Sequence, residues 1–443
     1  MIVSLLSGTL MHIFDRAMLA HYSLTAMNAA ALAQQAGNII LFPLLCFATI
    51  AEVFVGQFNG AKLFHKTSLP ILQNVLFLMF CCVWVCPLAF KYCHWVISPP
   101  LYADGAPYFT VTLFIIPFQI IHSSLASFFV GTRRPNIILY SVLVANVMNV
   151  GFDWLFIFGA VDIIPAMGAK GAAIATLIST IVSAIILLYC FLSKYNAMYY
   201  NTRCANFDKH LLKKNIFLGL PFSFSYFIEM AIWVSIVNVL AAVSMEEATV
   251  QNVCVTILTF FLFIIDGLQK GAMALASNCI GAQKVHLLPA LIKSVLKVSG
   301  GIGIIIALPL LVFPEITLQY VFNITAAPIV ANFKSTFIIL WLSLTFSVFS
   351  SSCFSGILSS GGDTKFVTYV KTSTMVFCVA IPVYIFFTFG AFTSFISWTL
   401  GFIHQIANGV CFYLRYRSGA WNHDIIVVKP PDAPSLYKVG NDG

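Results

Sequence analysis

Long hydrophobic runs separated by short polar breaks dominate this chain. About twelve runs reach the ~20 residues that a helix needs to cross a bilayer. They lie near 1–20, 29–57, 68–92, 106–131, 136–159, 170–193, 215–243, 248–278, 287–314, 327–357, 365–389 and 391–414. The pattern predicts an all-α polytopic membrane protein with about twelve transmembrane helices. The first run has no basic leader before it and no small-residue cleavage site after it, so it reads as a helix and not as a cleaved signal. Met1 falls inside that run, which predicts a short first helix and a start codon further upstream.

The polar breaks alternate in charge. Lys62, Lys66, Arg133, Arg134, Lys194, Arg203, Lys209, Lys213, Lys214, Lys284, Lys365, Arg415 and Arg417 all follow even-numbered helices. Asp104, Asp162, Glu246, Glu247 and Glu315 mark the odd-numbered connections. Basic loops stay on the cytoplasmic side, so both termini are expected there, in a cell (inner or plasma) membrane. The basic stretch 194–214 divides the chain into an N-lobe (1–193), a cytoplasmic linker (194–214), a C-lobe (215–417) and a polar cytoplasmic tail (418–443) expected to be unfolded.

The two sides repeat. GQFNGAK (56–62) closes helix two and SNCIGAQ (277–283) closes helix eight, so Gly60 corresponds to Gly281. Gly131 and Gly159 bracket the passage from helix four through helix five, and Gly362 and Gly390 repeat that spacing at helix eleven. Repeated helix bundles are a mark of secondary transporters, whose sites lie between the repeats. Two pseudo-symmetric six-helix bundles are therefore expected.

Composition agrees. Of 443 residues 60% are hydrophobic and 9% charged, against about 25% charged in soluble domains; the mean hydropathy is +0.95. The net charge of +8 follows from the basic loops, so no nucleic-acid partner is called for. The twelve cysteines have no CxxC or zinc spacing and read as small packing residues. The histidines form no HExxH, His404 reads as a packed polar residue of helix twelve, and no P-loop supports ATP-driven transport.

Four carboxylates interrupt stretches that otherwise read as lipid-embedded: Asp15, Asp153, Glu229 and Asp266. Each costs about 3 kcal/mol or more near the midplane, and such residues usually mark an ion or substrate path. Asn146, Asn149 and Asp153 share one face of helix five. That polar stripe must face protein or water, either as a cation site or as an internally bonded packing motif. Tyr226, Glu229 and Trp233 share a face of helix seven, where a carboxylate among aromatics suits an organic cation. Asp266 precedes Lys270 by one turn, and an intrahelical ion pair is its simplest reading. Glu52, near the basic end of helix two, reads as an anchor for the basic loops.

The chain resembles the multidrug and toxic compound extrusion (MATE) family in FDRAMLA, AEVFVGQFNGAK, GTRRP, NVMNVGFDWLFIFG, MGAKGAAIATLIST, LGLPFSFSYFIEM, SNCIGA and SSGGDTKF. The resemblance spans nearly the whole chain. It implies two six-helix lobes around a central cavity and export of organic, often cationic, compounds driven by inward H⁺ or Na⁺ flow. One branch of the family couples through an Asn-xxx-Asp pair, a helix-one Asp and a helix-six Thr, which match Asn149, Asp153, Asp15 and Thr176. Another branch uses an acid at the position of Glu229 with an acid on helix ten, but 327–357 carries none. Arg16 beside Asp15 would weaken proton carriage if the two paired through a bend, and the family's upstream helix-one proline has no counterpart.

The expected function is thus a secondary antiporter, not an enzyme. Asp15, Asn149, Asp153 and Thr176 form its cation-coupling site, and Tyr226, Glu229, Trp233 and Asp266 line its substrate cavity. H⁺ or Na⁺ is the coupling ion, with no other cofactor or metal; the partners are a small organic substrate and the bilayer, and a monomer is expected. A lipid-linked-precursor flippase is the nearest alternative, but its cavity should carry several Arg or Lys, and only Arg16 and Lys270 stand as candidates. A polytopic membrane enzyme would need a nucleophile or metal cluster that the sequence lacks.

Overall fold

In the computed structural model residues 11, 14–93, 102–159, 164–204, 206–312, 319 and 327–423 are described. Helix α1 covers 14–22 of that set, so most of the first hydrophobic run lies outside the described residues. There follow α2 (Leu24–Gly60), α3 (Leu69–Lys91), α4 (Tyr102–Gly131), α5 (Asn136–Phe158) and α6 (Gly168–Phe191). The second half holds α7 (Lys209–Val243), α8 (Met245–Gly281), α9 (Leu288–Val312), α10, α11 and α12 (Ser394–Arg417). Helix α10 starts as Ala327–Ser347 and continues through a π-helical stretch, Val348–Ser355, into Gly356–Ser360. Helix α11 runs through Thr364–Met375, a π turn at Val376–Ala380 and Ile381–Thr388. No strand forms among the described residues. Within the described residues the hydropathy reading placed helices two to twelve to within a few residues, and 8 described helices are long and apolar enough to cross a membrane by length and composition alone.

Caps explain where the ends differ. Lys209 to Lys214 read as loop because they are charged, yet α7 already begins at Lys209. The Asp208 carboxylate accepts from the backbone N–H of His210 (2.9 Å) and Leu211 (3.1 Å) and satisfies two amides that the first turn leaves open. The rest of the linker carries a short helix, Lys194–Tyr200. Arg134 clamps it by donating to Asn196 Oδ1 at 2.9 Å and lying over the ring of Tyr200. The tail also differs from the expected unfolded extension at its start. Residues 420–423 form a 3-10 turn, and Trp421 is buried against Gly361 and stacked on Tyr416, with its Nε1 donating to the Tyr416 carbonyl at 3.0 Å. Residues 424–443 lie outside the described set.

Helices of each half pack mainly on one another: α2 on α4, α4 on α6 and α5 on α6, then α7 on α11 and α10 on α12. The halves meet where α2 crosses α7 and α8. At the basic end the α2–α8 crossing is very close. A Cβ on Gly60 would run into the Asn278 carbonyl, and one on Gly281 into the Gln57 carbonyl. Only glycine lets these backbones approach so closely. Asn278 then joins three helices. It accepts from Asn59 Nδ2 (2.7 Å) and donates to the Gly131 carbonyl (2.8 Å). Gln57 Nε2 donates to the Ser360 carbonyl at 2.6 Å. The two glycines that the internal repeat equated thus form the two sides of one seal. At the opposite end Glu247 ties the second half together, accepting from Asn332 Nδ2 (2.7 Å) and from the Ser394 backbone N–H (2.6 Å).

Candidate functional site

Two polar clusters lie inside this frame, one within the first half and one between the halves. In the first, Asp153 and Asn149 are fully buried one turn apart on α5, and Asp15 of α1 is buried beside them. With its amide nitrogen turned toward the acids, Asn149 donates to Asp15 Oδ1 (2.9 Å) and Asp153 Oδ2 (3.2 Å), the orientation that suits both ends of the amide. The two carboxyl groups also stand within hydrogen-bonding contact of each other. Asp153 Oδ1 is buried with no hydrogen-bond partner.

The other residues of this half divide clearly. Thr176 hydrogen-bonds the Ala172 carbonyl of its own helix at 3.0 Å, and its hydroxyl makes no bond to the acid pair. Arg16 turns outward, exposed, and donates to Gln34 Oε1 at 3.4 Å, so it forms no ion pair with Asp15. Adjacent helix positions point about 100° apart, which is why one side chain can be buried and its neighbour exposed. The buried Tyr108 of α4 lies within electrostatic reach of both acids; nothing local in its sequence marks it.

The second cluster lies between α2, α4, α7, α8, α11 and α12. Tyr226 and Asp266 lie within electrostatic reach of one another, each half-buried. Glu229 stands within electrostatic reach of both, and Cys46 of α2 faces the same groups. Trp233, the third member of the α7 face, packs instead toward α12, its ring 5.5 Å from that of Trp398 and its edge against Gly401. An apolar groove of about 550 Å³ beside Pro43, Phe47 and Phe224 holds none of these residues.

Three sequence readings change here. Asp266 and Lys270 form no ion pair, although each lies within electrostatic reach of the other. Glu52 anchors no basic loop. It is buried, its Oε1 has no partner, and the charge it faces is Lys270 of the other half. The cations near this cluster are Lys270 and Lys371, not Arg16. Lys371 of α11 is 7% exposed, and its Nζ lies 4.8 Å from the Tyr226 ring centroid. A lysine inside the apolar run 365–389, six residues beyond Lys365, was the available signal. Buried His404 bonds Asn408 (3.0 Å), which accepts from Thr374 (2.7 Å), fixing α12 to α11 beside Lys371. No group of His, Cys, Asp and Glu among the described residues is suited to hold a metal ion.

Comparison with known proteins accords with this architecture. The MatE family model matches residues 1–155 and 221–386. The chain is 24% identical over 387 residues to the probable multidrug resistance protein NorM of Photorhabdus laumondii subsp. laumondii, covering 83% of this chain and 81% of that one. The fold is similar to that of the eukaryotic MATE transporter AtDTX14, with TM-score 0.82 at 18% identity over 96% of this chain and 95% of that one. It is also similar to a MOP superfamily transporter from Pyrococcus furiosus, with TM-score 0.79 at 18% identity over 95% and 94% of the two chains.

Proposed function

The chain belongs to the MatE family of membrane transporters, and on that premise we propose that it exports small organic compounds in exchange for protons. The observation that carries the coupling is the buried pair Asp15–Asp153 held by Asn149. Two carboxylates in contact repel when both are charged, whereas one proton between them turns the contact into a hydrogen bond. Loading a proton therefore draws α1 onto α5, and losing it frees α1. A switch of this kind needs no metal and no further cofactor. Thr176, held on its own helix, takes a supporting place one helix away.

The cargo site in this reading is the second cluster, where Glu229 and Asp266 offer negative charge beside the Tyr226 ring. The positive-inside pattern puts the basic end in the cytoplasm, so the close α2–α8 crossing seals the cytoplasmic side. Each charge moving with a 100 mV potential gains about 2.3 kcal/mol, enough to bias an outward–inward exchange. All these groups belong to one chain, so a monomer suffices.

The test is export of a fluorescent cation such as rhodamine 123 from proteoliposomes, driven by ΔpH alone or by ΔNa⁺ alone. Transport with ΔpH that a protonophore removes supports the reading. Transport with ΔNa⁺ only overturns the proton assignment, and transport with neither overturns export.

A further inference from the structure

We propose that the apolar groove between α2, α3 and α7 seats an anionic phospholipid of the cytoplasmic leaflet, with its tail in the groove and its phosphate at Lys213 and Lys365. The groove measures about 550 Å³ and takes its walls from both halves of the chain: Pro43 and Phe47 of α2 with Phe77 of α3, then Leu220, Phe224 and Phe227 of α7. That volume lies within the roughly 300–1,000 Å³ of ordinary ligand clefts. The only hydroxyl in the lining, that of Ser223, already donates to the Pro43 carbonyl at 2.8 Å. Such a surface suits hydrocarbon, whereas a polar molecule placed there would lose its hydrogen bonds to water without replacement.

The α7 wall belongs to a longer stripe. Lys213, Phe217, Leu220, Phe224 and Phe227 are all exposed, and alternating steps of four and three residues keep them on one helix face. At 1.5 Å per residue the stripe runs about 21 Å from Lys213 to Phe227. That is close to one leaflet from headgroup to midplane, half of a ~40–45 Å bilayer. Its apolar part therefore meets acyl chains, and its start lies among headgroups on the basic, cytoplasmic side. Two cations from two helices stand at that start. Lys365 of α11 is exposed and holds its Nζ 3.6 Å from the centroid of the Phe217 ring, and Phe217 itself lies one turn from Lys213. The acids nearest to them in sequence are engaged elsewhere. Asp208 caps α7, and Asp363 is paired with Arg415 at 2.7 Å. Among the described residues neither lysine makes an ion pair. Lysines at a membrane surface attract anionic lipid. A zwitterionic lipid would fill the groove as well but leave the two charges without net compensation.

The test is native mass spectrometry of the purified full-length protein with equal amounts of dioleoyl phosphatidylglycerol and dioleoyl phosphatidylcholine, which share their tails and differ in headgroup charge. The wild type should retain phosphatidylglycerol about tenfold more often than phosphatidylcholine. Lys213→Gln/Lys365→Gln should erase that preference and Lys213→Arg/Lys365→Arg should keep it. Lys66→Gln/Lys284→Gln, which removes the same charge from other basic loops, should keep it too. Leu220→Trp, which puts bulk into the groove, should lower retention of both lipids about threefold. The site is overturned by equal retention in the wild type, by a preference that survives Lys213→Gln/Lys365→Gln, or by one lost equally with Lys66→Gln/Lys284→Gln. Retention unmoved by Leu220→Trp overturns the groove as the seat of the tail. None of these readouts involves transport, so the export reading stands or falls by its own assay.

Discussion

The side-chain amide of Asn149 reaches from α5 to Asp15 of α1 at 2.9 Å while also touching Asp153, its neighbour one turn along the helix, at 3.2 Å. One donor group thereby holds two acids from different helices together in a buried space. Replacing it by an apolar residue of similar size, Asn149→Leu, removes charged hydrogen bonds worth about 1.5–3 kcal/mol each. ΔpH-driven export should fall at least tenfold while the protein still reaches the membrane, as measured by dye efflux and by the membrane-fraction yield. Efflux at the wild-type rate would count against a coupling role for Asn149.

Thr176 makes a sharper contrast. Its hydroxyl is committed to the Ala172 carbonyl, so Thr176→Val removes one intrahelical hydrogen bond worth about 0.5–1.5 kcal/mol and touches no acid. Export should stay within about threefold of wild type in the same assay. A loss as deep as that of Asn149→Leu would place Thr176 within the cation site after all.

The α2–α8 seal depends on glycine at two positions. In Gly60→Val or Gly281→Val the new side chain would meet the facing backbone carbonyl, of Asn278 or Gln57, and a backbone cannot yield as a side-chain tip can. Spin labels on the basic ends of α2 and α8 should show a longer and broader distance distribution than in the wild type. An unchanged distribution would mean that the crossing is looser than described.

Trp421 anchors the start of the C-terminal segment on Tyr416 and Gly361. Truncating a buried aromatic of this kind costs about 3–5 kcal/mol. Trp421→Ala should lower the midpoint of thermal unfolding in detergent by several degrees, and an unchanged midpoint would show that the contact contributes nothing.

Much of this was legible before any coordinates. Hydropathy located the helices because a bilayer span imposes a length and a composition. The spacing of Asn149 and Asp153 showed a shared face, and the repeat equated Gly60 with Gly281. What the sequence could not show was direction. Lys371 is one charge in an apolar run, and only the fold shows that it turns inward to Tyr226 from another helix. Asp266 and Lys270 have ion-pair spacing, yet in the fold they form no ion pair. Trp421 is a lone aromatic in a polar tail, and its partners lie on other segments. Asp208 caps α7 within a stretch whose charges disguise it as loop.

The central claim is that protons bound at the Asp15–Asp153 pair drive export, and Asp153→Asn tests it most directly. The substitution keeps the shape of the side chain and removes its charge and its exchangeable proton. In proteoliposomes with an imposed ΔpH, the variant should show no dye export above the protein-free background, although it inserts in the membrane and binds rhodamine 123. ΔpH-driven export by Asp153→Asn at the wild-type rate would contradict the account.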